Sequence, residues 1–235
     1  MNDARTLTIA GRFRGPPSSG NGGYVCGRVA AFLGSTAKVR LSKPPPLDRP
    51  MRVEVEGAEA RIKDGDDLVA TAVAAAVDIT PPPPPSLECA VAASARYVGH
   101  QGHPFASCFV CGPARAPGDG LRIFAGPDGV RGVAAPFEPS ADLFDDDHLR
   151  PEFVWAALDC PGYFAVTGAE MVPMLLGELT VELRAPVPRG PLVVYAWSLG
   201  SEGRKASCGS ALATTSGQVL AVGRGTWIRL RSEGP

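Results

Sequence analysis

The sequence predicts a helix-poor α+β fold: two similar halves, each a strand, one central helix and a strand meander, joined into one continuous antiparallel sheet. Three observations carry that expectation. Strand-like runs follow one another without the interleaved helices that a doubly wound sheet requires. The halves repeat one plan, down to a matched strand, proline-bearing turn and strand: VRLSKPPPLDRPMRVEV from Val39 resembles VELRAPVPRGPLVVYAW from Val181. Between them stands Pro81-Pro82-Pro83-Pro84-Pro85, an extended segment that neither a helix nor a central strand accommodates. The expected divisions are an N-terminal repeat over residues 1–79, a proline-rich linker over 80–107 whose ends pair or pack on the body, and a C-terminal repeat over 108–235.

In the first half, residues 6–13 alternate like a strand. Asn21-Gly22-Gly23 opens an apolar segment over 24–33 with small residues at Cys26, Gly27, Ala30 and Ala31, which reads as the helix. After Gly34 come strand-like runs at 37–41, 51–59 and 68–79. In the second half the strand-like runs are 121–124 and 130–137, the apolar helix is 151–165, and the meander is 179–183, 192–199, 206–213 and 219–230. Asp64-Gly65 and Ser216-Gly217 each supply a turn before the last long strand of their half. One helix on one small sheet is marginal alone. Two such halves joined edge to edge bring their helices side by side and antiparallel about a pseudo-two-fold axis.

At 235 residues, 45% hydrophobic and 20% charged, the chain has the make-up of a soluble globule that buries a core. A net charge of −1 argues against nucleic acid as a partner. No apolar run reaches the roughly 18 residues of a membrane span, and the N-terminus lacks an apolar signal core. The expected location is cytoplasmic, with the six cysteines reduced. Three histidines make a site of several imidazoles hard to build. Gly20-x-Gly22 lacks the third glycine of a dinucleotide loop, Val25 standing in its place. A Gly-x-Ser-x-Gly elbow is absent.

Three segments resemble those of the hotdog superfamily, and of double-hotdog acyl-CoA thioesterases in particular, over almost the whole chain. GPPSSGNGGYVCGRVAAFLG is similar to the glycine-rich lead into the first hotdog helix. CFVCGPARAPGDGLRIF, from Cys108, resembles the Cys-x-x-Cys-Gly opening of many phenylacetyl-CoA-type thioesterases. PEFVWAALDCPG, from Pro151, resembles their central helix with its acidic residue. The resemblance implies a double hotdog and hydrolysis of an acyl-CoA or related thioester, without metal or redox cofactor. The family's helix opens His-Gly-Gly and carries an acid nine positions after the histidine. Asn21, Gly22 and Gly23 match the triplet, but Ala30 takes the acid's place. Asp159 matches the acid, but Arg150, Pro151 and Glu152 take the triplet's place. Nine helical residues span about 13 Å, so a helix's own start cannot meet its own ninth residue, whereas an antiparallel partner's can. The expectation is one composite site per chain.

Gly22 and Gly23 then supply unpaired N–H groups for an oxyanion, or form an ordinary turn capped by Asn21. Asp159, in an apolar stretch, acts as general base on water or as nucleophile, or else caps a neighbouring helix or the Pro161-Gly162 break. Asn21 positions water or carbonyl, or caps its helix. Tyr24, Phe153, Trp155 and Tyr163 shape or line an acyl groove between the helices, rimmed by Gly27, Ala30, Ala31, Ala156 and Ala157, or are simple core. Arg150 or Arg184 meets CoA phosphates. Cys160, Cys26, Cys89 and Cys208 read as packed thiols. Cys108 and Cys111, with His103, have the shape of half a zinc knuckle, but a second pair is missing, so the motif reads as a tight turn and no metal is expected. His148, after Asp145-Asp146-Asp147, is the histidine a hotdog dehydratase would need, against the simpler reading of a solvated loop. The rival to catalysis is a non-enzymatic hotdog protein that binds an acyl thioester or another apolar ligand. Open sheet edges predict a homodimer.

Overall fold

The structure is a computed structural model and describes residues 5–34, 36–130 and 132–231. The N-terminal expectation therefore falls partly outside the described residues. The strands are β1 (Thr6–Thr8), β2 (Ala37–Leu41), β3 (Pro50–Glu56), β4 (Glu59–Asp64), β5 (Asp67–Ala74), β6 (Gly126–Pro127), β7 (Gly132–Phe137), β8 (Phe144–Asp145), β9 (His148–Leu149), β10 (Met174–Leu183), β11 (Leu192–Glu202), β12 (Lys205–Thr214) and β13 (Val219–Arg229). The helices are α1 (Gly22–Ala30), α2 (Leu87–Ser94), α3 (Pro151–Ala157) and α4 (Cys160–Thr167). Eleven strands form one sheet in the order β1-β3-β4-β5-β2-β10-β13-β12-β11-β7-β6. Every neighbouring pair in it is antiparallel.

The halves meet where β2 pairs with β10, and the register there carries the repeat. Ala37 lies opposite Val181 and Val39 opposite Leu179. The offset that places Val39 on Val181 also places Lys38 on Thr180, and these two are themselves cross-strand partners. The pseudo-two-fold axis therefore passes through that pair. This is the α+β double hotdog that the sequence predicted.

Inward-facing residues of the sheet pack on α1, α3 and α4 in the main core. The outer face of the C-terminal half is buried as well, which is why Leu192-Val193-Val194-Tyr195-Ala196 is apolar throughout instead of alternating. Val193, Tyr195, Ala211, Ala213 and Val222 pack on that face with Val77, Ile79 and Ala90 and Ala93 of α2. The proline segment thus lies behind the sheet, held in part by Tyr195 Oη donating to Pro82 O at 2.9 Å. Helix α2 was not expected in the linker. Its signals are Ser86 as N-cap, accepting from Cys89 N at 3.2 Å, and an alanine-rich stretch of strong helix formers.

The remaining differences are local. Residues 9–13 leave the strand and end in a short 3₁₀ helix, Gly11–Phe13, so β1 is only three residues long. The run 51–59 breaks at Gly57, with φ +57°, and a further strand, β4, follows. Residues 121–124 are not a strand, and that edge is held by the two residues of β6. The edges expected to invite dimerisation are thus three and two residues long, the second ending in Pro127, which has no N–H to donate. The helix expected over 151–165 is two helices, α3 and α4, divided at Leu158 and Asp159. Among the described residues, no helix is long and apolar enough to cross a membrane.

Candidate functional site

Helices α1 and α3 run antiparallel in direct contact. A Cβ at Gly27 would sit 2.7 Å from Glu152 Cα, and one at Gly23 would sit 2.7 Å from Trp155 O while colliding with Asp159 Cβ. The small residues expected to rim an open acyl groove instead let two backbones touch at Gly23 and Gly27, while Ala30, Ala156 and Ala157 are buried and Ala31 is exposed. There is no room for a ligand along the helix seam.

The break between α3 and α4 places Asp159. Pro161, in the first turn of α4, has no N–H to continue the ladder, so α3 stops before it. The carbonyl of Leu158 at the break accepts from buried Ser210 Oγ at 2.7 Å. Asp159 then turns toward the N-terminus of α1. Its Oδ2 accepts from Gly23 N at 2.8 Å and from Asn21 Nδ2 at 2.9 Å. Asn21 also caps its own helix, Oδ1 accepting from Tyr24 N at 2.9 Å, so its amide orientation is fixed at both ends. Oδ1 of Asp159 has no hydrogen-bond partner among the described residues. Burial pushes the Asp159 carboxyl up to about 7, and the nearby Cys108 adds to the rise, whereas the bonds from Gly23 and Asn21 oppose it.

Asn21, Gly22 and Asp159 line a cavity of about 490 Å³. Its walls are the loop before α1, the first turn of α4, the 103–111 loop, the adjoining ends of β10 and β13, and residues 41–45 at the end of β2. The surface is mostly apolar, with Leu176 and Trp227 among its walls. The four residues expected to form the catalytic centre therefore come together from both halves, as the antiparallel arrangement requires. One expected role changes: the Gly23 amide is occupied by Asp159 itself. The first-turn amide of Gly22, which has no intrahelical partner, is the one that remains beside the cavity.

The residues expected to contact substrate are mostly elsewhere. Tyr163 lines the cavity, with its hydroxyl donating to Val172 O at 3.1 Å. Tyr24 is core, stacked on Phe13 at 4.1 Å and close to Phe153 at 5.7 Å. Trp155 is buried against Gly27. Arg150 lies over the Phe153 ring and donates to Leu143 O and Asp142 O, while Arg184 pairs with Glu182; neither lines the cavity. His148 sits in the β8–β9 hairpin, away from the site. Sequence reasoning missed the cavity's third wall, where the 103–111 loop brings Cys108, Cys111 and His103 beside Cys160. The only signal was the Cys-x-x-Cys-Gly motif, whose companion cysteine is distant in sequence.

No protein-family model matches the chain, and no curated protein matches it. Solved structures do. A tesB protein of Mycobacterium avium subspecies paratuberculosis superposes with a TM-score of 0.65 at 12% identity, over 96% of this chain and 92% of that one. A conserved protein of unknown function with a hot dog fold from Alicyclobacillus acidocaldarius does so with a TM-score of 0.65 at 13% identity, over 99% and 95%. The acyl-CoA thioesterase II TesB2 of Mycobacterium marinum gives 0.62 at 10% identity, over 98% and 94%. The fold of this chain is that of these structures, the second of which is described as a hot dog fold.

Proposed function

We propose that the chain hydrolyses an acyl thioester of the acyl-CoA type at one composite site, the cavity at the α1–α4 junction. The observation that supports this best is a buried carboxylate at the cavity wall, with Oδ2 held by Gly23 N and Asn21 Nδ2 and Oδ1 without a hydrogen-bond partner among the described residues. An unpaired buried carboxylate oxygen is costly, and a protein keeps one where it has chemistry to do. In this reading Asp159 takes a proton from water or attacks the thioester carbonyl itself. Asn21 and Gly23 hold it in place. The N-terminal turn of α1, through Gly22 N–H and the helix dipole, stabilises the charge that develops on the carbonyl oxygen. The apolar cavity takes the acyl chain. The structures named thioesterases above lend the reading its reaction class.

The test is steady-state hydrolysis of a panel of aliphatic and aromatic acyl-CoA esters by the parent and by Asp159→Asn, with circular dichroism as fold control. Asp159→Asn is expected to lower kcat/KM by about 10²- to 10⁴-fold. Full activity in the folded variant would sink the site. A second reading has one observation in its favour: with Gly23 N–H spent on Asp159, the site has one fewer oxyanion donor than the family pattern offers. Saturable acyl-CoA binding by the parent, without turnover of any ester, would make the chain a binding protein.

A further inference from the structure

We propose that Cys108, Cys111 and Cys160 form a site for a thiophilic divalent metal, zinc above all, on the wall of the cavity. The sequence reading expected no metal because the Cys-x-x-Cys motif lacked a partner. The fold supplies one by bringing the first residue of α4 against the 103–111 loop. The three Sγ atoms all lie within 4.8 Å of one another, and Cys108 and Cys160 are 3.7 Å apart. Tetrahedral zinc, with Zn–S near 2.3 Å, spaces its sulfurs about 3.8 Å apart. All three cysteines are buried, and all three line the cavity, so an ion has a path in.

The surroundings suit sulfur that has lost its protons. Asn21 Nδ2 reaches Cys108 Sγ at 3.8 Å and Cys160 Sγ at 3.7 Å. His103 Nε2 lies 3.3 Å from Cys111 Sγ, and its Nδ1 accepts from Phe105 N at 2.9 Å. That second bond assigns the imidazole proton to Nε2, so His103 donates to the Cys111 sulfur and orients it. The cysteine turn is closed as a knuckle requires. Gly112 N returns to Cys108 O at 3.0 Å, and a Cβ at Gly112 would sit 2.5 Å from that same carbonyl oxygen. A divalent cation bound among the three sulfurs displaces the thiol protons to solvent and pairs with three thiolates. Three protein sulfurs leave a fourth position for a small donor from the cavity. Bound there, the metal ties the 103–111 loop to α4 directly beside Asp159.

The test takes the full chain, reduced with a phosphine, stripped with a chelator and titrated anaerobically with Co(II). The expected result is saturation at one equivalent, with a sulfur-to-cobalt charge-transfer band and tetrahedral d–d bands that Zn(II) abolishes. Cys160→Ser is expected to lose the bands and the bound equivalent, and Cys89→Ser, whose thiol is exposed and outside the cluster, to keep both. His103→Ala is expected to weaken binding about 10- to 100-fold. Should Cys160→Ser misfold by circular dichroism, Cys111→Ser gives the same reading. No charge-transfer band in the reduced parent, or an undiminished equivalent in folded Cys160→Ser, would overturn the site. So would a Cys108–Cys160 disulfide in the isolated protein whose reduction restores no cobalt binding. None of these readouts uses hydrolysis, so the metal site and the thioesterase reading stand or fall separately.

Discussion

Asn21 does two jobs with one amide, and they can be separated. Its oxygen caps α1 through Tyr24 N, and its nitrogen holds Asp159 Oδ2. Asn21→Ser keeps a good cap acceptor, so the expected stability loss is about 1–2 kcal/mol, read from the denaturant midpoint. It removes the donor to Asp159, and the loosened carboxylate is expected to lower kcat about 10²-fold. A variant with unchanged kcat would make Asn21 a cap only. Gly23 poses the opposite case. A valine or even an alanine there meets Trp155 O at 2.7 Å and Asp159 Cβ, so the damage is to the fold before it reaches any substrate. Gly23→Ala is expected to cost about 1–3 kcal/mol by overpacking, measured by thermal or denaturant unfolding. These residues were legible because their chemistry is exceptional in context: two glycines opening a helix, and a carboxylate in an apolar run. Tyr24, Trp155 and Arg150 were not, because an aromatic or an arginine beside a helix looks the same in sequence whether it faces core or cavity.

The break between α3 and α4 is the element on which the site depends. One continuous helix over 151–165 would carry Asp159 on with the helical rotation and satisfy Leu158 O within the ladder. Instead Pro161 ends the ladder, and Ser210 from β12 satisfies that carbonyl at 2.7 Å with its side chain fully buried. Ser210→Ala leaves the oxygen without its donor and is expected to cost about 1–3 kcal/mol. Thermal unfolding of the folded variant checks this, and a shift within error would mean the carbonyl finds another donor. The proline was visible in the sequence, but it placed the break three residues too late, at Pro161-Gly162 in place of Leu158-Asp159. A proline disturbs the turn before itself, and which residue ends the preceding helix depends on the tertiary partner that receives the orphaned carbonyl. Helix α2 shows the same lesson. Its cap and alanines were on view, but five prolines beside them outweighed a helix whose reason to exist is the outer face of a sheet not yet assembled.

The repeat suggests two units, whereas the packing argues for one. Helix α1 of the first half lies on α3 of the second. The ring cluster of Phe13, Tyr24, Phe109 and Phe153 draws two members from each side of the linker. Strand β2 completes its pairing only on β10, and Arg12 binds Asp142 at 2.8 Å across the same divide. Alone, the first half would expose one face of α1, an open sheet edge and half an aromatic cluster, with too little remaining core to offset the chain entropy. Unfolding is therefore expected as a single cooperative transition, although the sequence divides neatly in two. The chain carries its own reporter for this. All three tryptophans, Trp155, Trp197 and Trp227, lie in the second half, so their fluorescence follows that half alone, while far-ultraviolet circular dichroism follows the whole sheet. Coincident midpoints in a denaturant titration are the expected result. A circular-dichroism transition that precedes the fluorescence change would show the first repeat melting on its own. The composite site would then belong to two separable domains, since Asp159 loses its Gly23 and Asn21 donors as soon as α1 departs.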